Sequence, residues 1–176
     1  MEISTRPLQT EADAAAFRSL NEEWISRYFT IEPEDRRQLD DPFGVIVEPG
    51  GEVLVAELDG EVVGCVALRP AGDGVYELSK MAVAPARRGR GIGRHVIAAA
   101  VERARALGAT SLFLGSSTKL APAVHLYESF GFVHVPAQTL HMPYARADVF
   151  MRLELEPPAG GAPASPSTPS APDVTR

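Results

Sequence analysis

The residues best placed to do chemistry lie in one stretch, Met81-Ala82-Val83-Ala84-Pro85-Ala86-Arg87-Arg88-Gly89-Arg90-Gly91-Ile92-Gly93-Arg94. An apolar run enters a basic, glycine-rich turn, and a helical pattern leaves it. This combination suits a polyphosphate. Glycines let the backbone come close, the first helical N–H groups point at the anion, and the helix dipole adds about half a positive charge. Arg87, Arg88, Arg90 and Arg94 add countercharge and forked donors, against a formal net charge of −6 for the whole chain. Three other readings compete. A nucleotide P-loop needs Gly-Lys-Ser/Thr, and none follows Gly93. A dinucleotide site needs a glycine where Arg94 stands and an acid at the end of the next strand, which ends Leu114-Gly115-Ser116. The plainest alternative is a surface turn with solvated arginines.

The spacing Arg88-x-x-Gly91-x-Gly93 resembles the signature of the Gcn5-related N-acetyltransferase (GNAT) superfamily. A second segment, Ala123-Val124-His125-Leu126-Tyr127-Glu128-Ser129-Phe130-Gly131-Phe132, is similar to the A-x-x-L-Y-x-x-x-G-F signature of the same superfamily. The two occur in the family's order. The resemblance implies an α+β fold with a mixed, mostly antiparallel central sheet flanked by helices on both faces. It implies acetyl-coenzyme A as co-substrate and no metal. Arg88, Gly89, Arg90, Gly91, Ile92, Gly93 and Arg94 would cradle the pyrophosphate. The backbones of Met81 and Val83 would pair with the pantetheine like an added strand, with the Met81 N–H on the thioester carbonyl. Tyr127 matches the family's general acid. Glu77 stands where members carry a glutamate base acting through water. Many members have Asn where this chain has Leu120.

The implied reaction is direct attack of an amine on the thioester, with no covalent enzyme intermediate. Deprotonating an alkylamine of pKa ~10.4 at pH 7 costs roughly 4–5 kcal/mol, so a base is useful. A phenol near ~10 giving its proton to a thiolate near ~8.5 is uphill by about 2 kcal/mol. Tyr127 therefore serves better as a hydrogen-bond donor to the developing sulfur charge than as a full acid. Strand alternation predicts Glu77, Ser79, Met81 and Val83 on one face.

The acceptor that the resemblance implies is a small-molecule or peptide amine. In the family, the first two helices shape its pocket. Here Glu32, Glu34, Asp35, Asp40 and Asp41 crowd the second helix. They read either as an acidic rim for cationic amines or as a solvated face with Arg36 and Arg37 as internal partners. The alternative to an enzyme is a non-catalytic acyl-coenzyme A-binding regulatory module. A nucleic-acid partner is disfavoured by the acidic balance. A homodimer is left open.

These groups need a scaffold. Glu2–Leu8 reads as a strand. Thr10 caps a helix carrying apolar residues at helical spacing to Phe29. A second helix runs from Pro33 to about Leu39. Val45–Val47 reads as a short strand. Glu52–Leu58 and Glu61–Leu68 form a hairpin about Asp59-Gly60. Val75–Val83 is a strand, Ile92–Leu107 a helix ended by Gly108, and Ser111–Leu114 a strand. Ser116-Ser117-Thr118 reads as capping material for the helix Ala121–Phe130, which Gly131 stops. Phe132–Val135 and Val149–Leu155 close the set as strands.

The chain has 176 residues, 45% hydrophobic and 23% charged, ordinary for one soluble domain. Its one cysteine, Cys65, excludes an intrachain disulfide and reads as a small buried hydrophobe. His95, His125, His134 and His141 show no metal-ligand spacing. There is no signal pattern or membrane-length apolar run, so the expected location is the cytoplasm. Residues 1–156 form the expected domain. Residues 157–176, rich in Pro, Ala and Ser, form an expected disordered tail.

Overall fold

The structure, a computed structural model, describes residues 2–137 and 145–156. The expected tail and His141 lie outside them. A seven-stranded sheet runs in the order β1-β2-β3-β4-β5-β7-β6. Its strands are β1 (Ile3–Pro7), β2 (Glu52–Leu58), β3 (Glu61–Pro70), β4 (Val75–Val83), β5 (Ser111–Ser116), β6 (Val133–His134) and β7 (Val149–Glu154). Among the described residues, only the β4·β5 contact is parallel. Helices α1 (Glu11–Tyr28) and α2 (Pro33–Asp40) cover one face, and α3 (Ile92–Ala106) and α4 (Ala121–Ser129) the other.

Local chemistry explains most boundaries. Thr10 Oγ1 accepts from the Asp13 amide at 3.0 Å, and Asp13 returns the bond to the Thr10 amide at 3.2 Å. This is a reciprocal N-terminal cap. Asp59 and Gly60 take φ of 53° and 80°, as a two-residue hairpin turn requires. Helix α4 ends on Gly131 at φ 94°. There the Phe132 amide reaches back to Tyr127 O at 3.2 Å. The same motif stacks the Phe132 ring edge-on against Tyr127, centroids 5.8 Å apart, the apolar contact that accompanies such a C-cap.

Two expectations fail. Val45–Val47 lies within a π-helical turn, Phe43–Val47, and is no strand. Glu48 N bonds Phe43 O at 2.8 Å, and Asp41 Oδ1 accepts the Gly44 amide at 3.0 Å. Only Ile46 of this run is buried, so three apolar residues in a row carried no strand periodicity. The second failure concerns β4. Lys80 adopts φ 55°, and the register on β3 shifts from Ala67↔Ser79 to Cys65↔Ala82. This bulge inserts one residue and reverses the alternation. Met81 and Val83 join the core beneath α3, whereas Lys80 and Ala82 face the side of α1 and α2. Glu77 and Ser79 belong to the latter side, opposite Arg69 and Ala67. The four residues expected on one face are thus split across the sheet.

Candidate active site

Parallel pairing of β4 and β5 stops at Glu77↔Phe113. Beyond that point the two strands diverge, leaving the β4 edge from Leu78 to Val83 without a partner on that side. A cleft of about 480 Å³ opens there. Its walls come from β4, the turn before α3, the β5–α4 connection, the end of α1, and Arg146 before β7.

The glycine-rich turn forms one end. Gly89 and Gly91 have φ of 80° and 78°, and a Cβ on either would meet nothing within 4 Å. Here glycine answers a backbone requirement, not crowding. Gly93 is the opposite case, since a Cβ there would lie 3.2 Å from Leu126 Cδ2. The first helical bond of α3 runs from His95 N to Gly91 O at 3.1 Å, and no side chain caps the helix. The amides of Ile92, Gly93 and Arg94 thus have no acceptor among the described residues, the arrangement a phosphate needs.

Arg87, Arg88 and Arg94 line the cleft, whereas Arg90 is exposed and does not. Arg88 bonds Glu23 of α1 at 2.8 Å. Arg94 bonds Ser129 at 3.2 Å and stacks on Phe130 at 5.3 Å. The Ile92 side chain is 1% exposed and belongs to the core, so only its amide can serve a ligand.

At the centre, Tyr127 is buried, its hydroxyl 3.9 Å from the Met81 sulfur. Burial pushes its pKa well above the ordinary phenol value, so it stays a proton donor. Glu77 lies across the cleft on β4. Burial raises its carboxyl above the ordinary value, with Arg69 and Lys80 pulling back. The Ser79 hydroxyl is buried with no hydrogen-bond partner among the described residues. Leu120 occupies the N-cap of α4 and makes no side-chain cap bond. Ser117 caps the preceding turn by accepting from the Lys119 amide at 3.2 Å.

The other end holds an ion cluster absent from the sequence expectations. Asp35, 0% exposed, accepts from Lys80 Nζ at 2.8 Å and from Arg146 at 2.7 and 2.8 Å. It also accepts the Glu32 amide at 2.9 Å. Burial opposes the Asp35 charge, but Arg146 and Lys80 outweigh it and bring its pKa to about 2. Lys80 moves down as well, because burial costs its ammonium more than its share of Asp35 returns. Arg146 lies over both Trp24 and Phe29 at 5.8 Å, and Trp24 donates to Asn21 Oδ1 at 2.9 Å. A lysine inside the apolar run Leu78–Val83 was the one available signal. Arg146 gave none, since its partner Asp35 is 111 residues away.

The acidic rim does not exist. None of Glu32, Glu34, Asp35, Asp40 and Asp41 lines the cleft. Glu34 is held by Arg37 at 3.0 Å, Asp40 by Arg36 at 3.1 Å, and Glu32 by Arg146 at 3.3 Å. Cys65 is buried, and its thiol pKa is pushed up to about 12, which makes it inert. Among the described residues, no His/Cys/Asp/Glu group is placed to hold a metal ion. None of their helices is long and apolar enough to cross a membrane.

A model of the Acetyltransferase (GNAT) family matches residues 15–132, and the chain belongs to that family. An uncharacterized N-acetyltransferase of Schizosaccharomyces pombe is 32% identical over 158 residues, covering 87% of this chain and 95% of that protein. A GNAT-family acetyltransferase of Staphylococcus aureus Mu50 superposes with a TM-score of 0.80 at 17% identity, covering 88% of this chain and all of that one. The Salmonella typhimurium protein yncA, solved with its cofactor acetyl-CoA, superposes with a TM-score of 0.69. It is 25% identical and covers 93% of this chain and 98% of its own.

Proposed function

We propose that this protein transfers an acetyl group from acetyl-coenzyme A to the primary amine of a small molecule or peptide. The observation that carries the proposal is the unpaired β4 edge running into uncapped α3 amides. An extended chain ending in a diphosphate matches both in order. The backbones of Met81 and Val83 would pair with its extended arm. The amides of Gly91–Arg94 and the guanidiniums of Arg88 and Arg94 would hold its phosphates. Gly89 leaves room for that approach. Arg90, outside the cleft, contributes only long-range charge.

Acetyl-coenzyme A supplies the activated acyl group. The amine nitrogen bonds to its carbonyl carbon as the carbon–sulfur bond breaks, releasing the thiol. A Met81 N–H aimed at the carbonyl oxygen would stabilise charge developing there by about 3 kcal/mol. Glu77, with its raised pKa, is a better proton acceptor than an ordinary carboxylate, because its basicity lies nearer the working pH. Tyr127, fully protonated at neutral pH, donates to the leaving sulfur.

The test is thiol release from acetyl-coenzyme A over a panel of amines, with calorimetric titration of the carrier alone. Turnover with at least one amine and saturable carrier binding are expected. Carrier binding without turnover on any amine would favour the regulatory module. Absence of binding at millimolar carrier would overturn the site itself.

A further inference from the structure

We propose that Lys119 and Arg146 recognise a carboxylate carried by the amine acceptor, so that the acceptors are small amino acids. This rests on the acetyl-transfer reading above. Two cations of the cleft lining each lie over the same aromatic ring, Phe29. Lys119 Nζ lies 5.4 Å from the Phe29 ring centre and Arg146 Cζ lies 5.8 Å from it. Ring faces attract cations, but like charges gathered in one place repel unless an anion joins them. Arg146 is answered by Asp35 behind it. Lys119 makes no ion pair with any described residue, yet it lines the cleft.

The lining as a whole has the same sign. Its charged residues are Lys80, Arg87, Arg88, Arg94, Lys119 and Arg146 against the single carboxylate of Glu77. The chain itself carries −6, so the cleft opposes the global balance. Three of those arginines belong to the diphosphate end. Lys80 and Arg146 are matched by Asp35 and Glu32, so the lining cation at this end with no ion pair among the described residues is Lys119 over Phe29, where a second anion would sit. A dicationic amine would bring further positive charge up to Lys119. The buried Ser79 hydroxyl, without a hydrogen-bond partner among the described residues, adds a hydrogen-bonding group for the acceptor's polar atoms. Glu77 supplies the one negative charge, suited to the acceptor's ammonium before its proton leaves. An ammonium next to a carboxylate therefore matches the order of charges along this wall.

Thiol release with β-alanine, with its amide and with a short diamine separates the cases. A charge-assisted contact predicts kcat/KM at least about tenfold higher for the carboxylate than for the amide. In Lys119→Met this ratio falls toward unity, through the KM of the acceptor, while the KM of acetyl-coenzyme A is unchanged. Lys119→Arg restores the ratio. Lys119 is exposed, so both variants fold. Equal rates, or a preference for amide or diamine, would overturn the inference while leaving acetyl transfer standing. A changed KM for acetyl-coenzyme A in Lys119→Met would also overturn it, by placing Lys119 on the carrier. No thiol release with any of the three would count against acetyl transfer itself.

Discussion

Asp35→Ala tests the buried ion cluster beside the cleft. The substitution removes an ion-pair partner of Lys80, whose side chain is 2% exposed, and the bidentate partner of Arg146, 12% exposed. Breaking a buried ion pair from one side costs about 3–5 kcal/mol, because a charge is left without compensation. Arg146 keeps Glu32 at 3.3 Å, which puts the expected loss near the lower end, about 3 kcal/mol. For a domain of this size that lowers Tm by roughly 6–12 °C. The acid side gives an independent check. The Asp35 pKa falls from 3.8 in the unfolded chain to about 2 in the fold. At about 1.4 kcal/mol per pH unit, this contributes about 2–3 kcal/mol. The contribution is complete above pH 3.8 and disappears as pH falls through the folded value near 2. Thermal and urea unfolding of the wild type and Asp35→Ala from pH 2 to 7 would show the curves converging as pH drops. Pairing Asp35→Leu with Lys80→Met should recover part of the loss, since removing both partners is far cheaper than removing one. A Tm drop below about 2 °C for Asp35→Ala at pH 7, or a gap that stays constant down to pH 2, would refute the reasoning.

The catalytic assignments give sharper kinetic tests. Tyr127→Phe should lower kcat about tenfold or more, the worth of one donor to a charged atom, with little change in the KM of acetyl-coenzyme A. A loss under about threefold would remove the role. In the wild type, kcat/KM should rise with pH through the raised Glu77 pKa, because the base must be deprotonated to act. Glu77→Gln should abolish that limb and leave only the amine's own ionisation; an unchanged profile would exclude Glu77 as the base. Gly91→Ala should cost about 1–2 kcal/mol through its left-handed φ of 78° alone, since its Cβ meets nothing. Calorimetry should show weaker carrier binding with the acceptor KM unchanged.

Much of the scaffold was legible. The caps at Thr10, Gly108 and Gly131 and the turn at Asp59-Gly60 are decided within a few residues. A local hydrogen bond or a positive φ leaves few alternatives there, and the structure agrees. The Tyr127–Gly131–Phe132 motif was legible for the same reason, because one helix end sets all three positions. Val45–Val47 was misread because three apolar residues fit a strand or a turn equally well. The β4 alternation failed at Lys80, where a bulge depends on the register with β3 and not on β4 alone.

The sequence by itself determined the glycine-rich end of the cleft, because its glycines, helix start and arginines are consecutive in the chain. Tertiary structure alone decided the ion cluster beside the cleft and its neighbour Lys119. Asp35, Lys80, Lys119 and Arg146 come from four separate segments, and their charges acquire meaning only through distance and burial. Five acidic residues beside one another look like a negative surface in one dimension. In three dimensions one of them is a buried counterion to two cations of the cleft lining, because Coulomb energy depends on separation and local dielectric, not on sequence position.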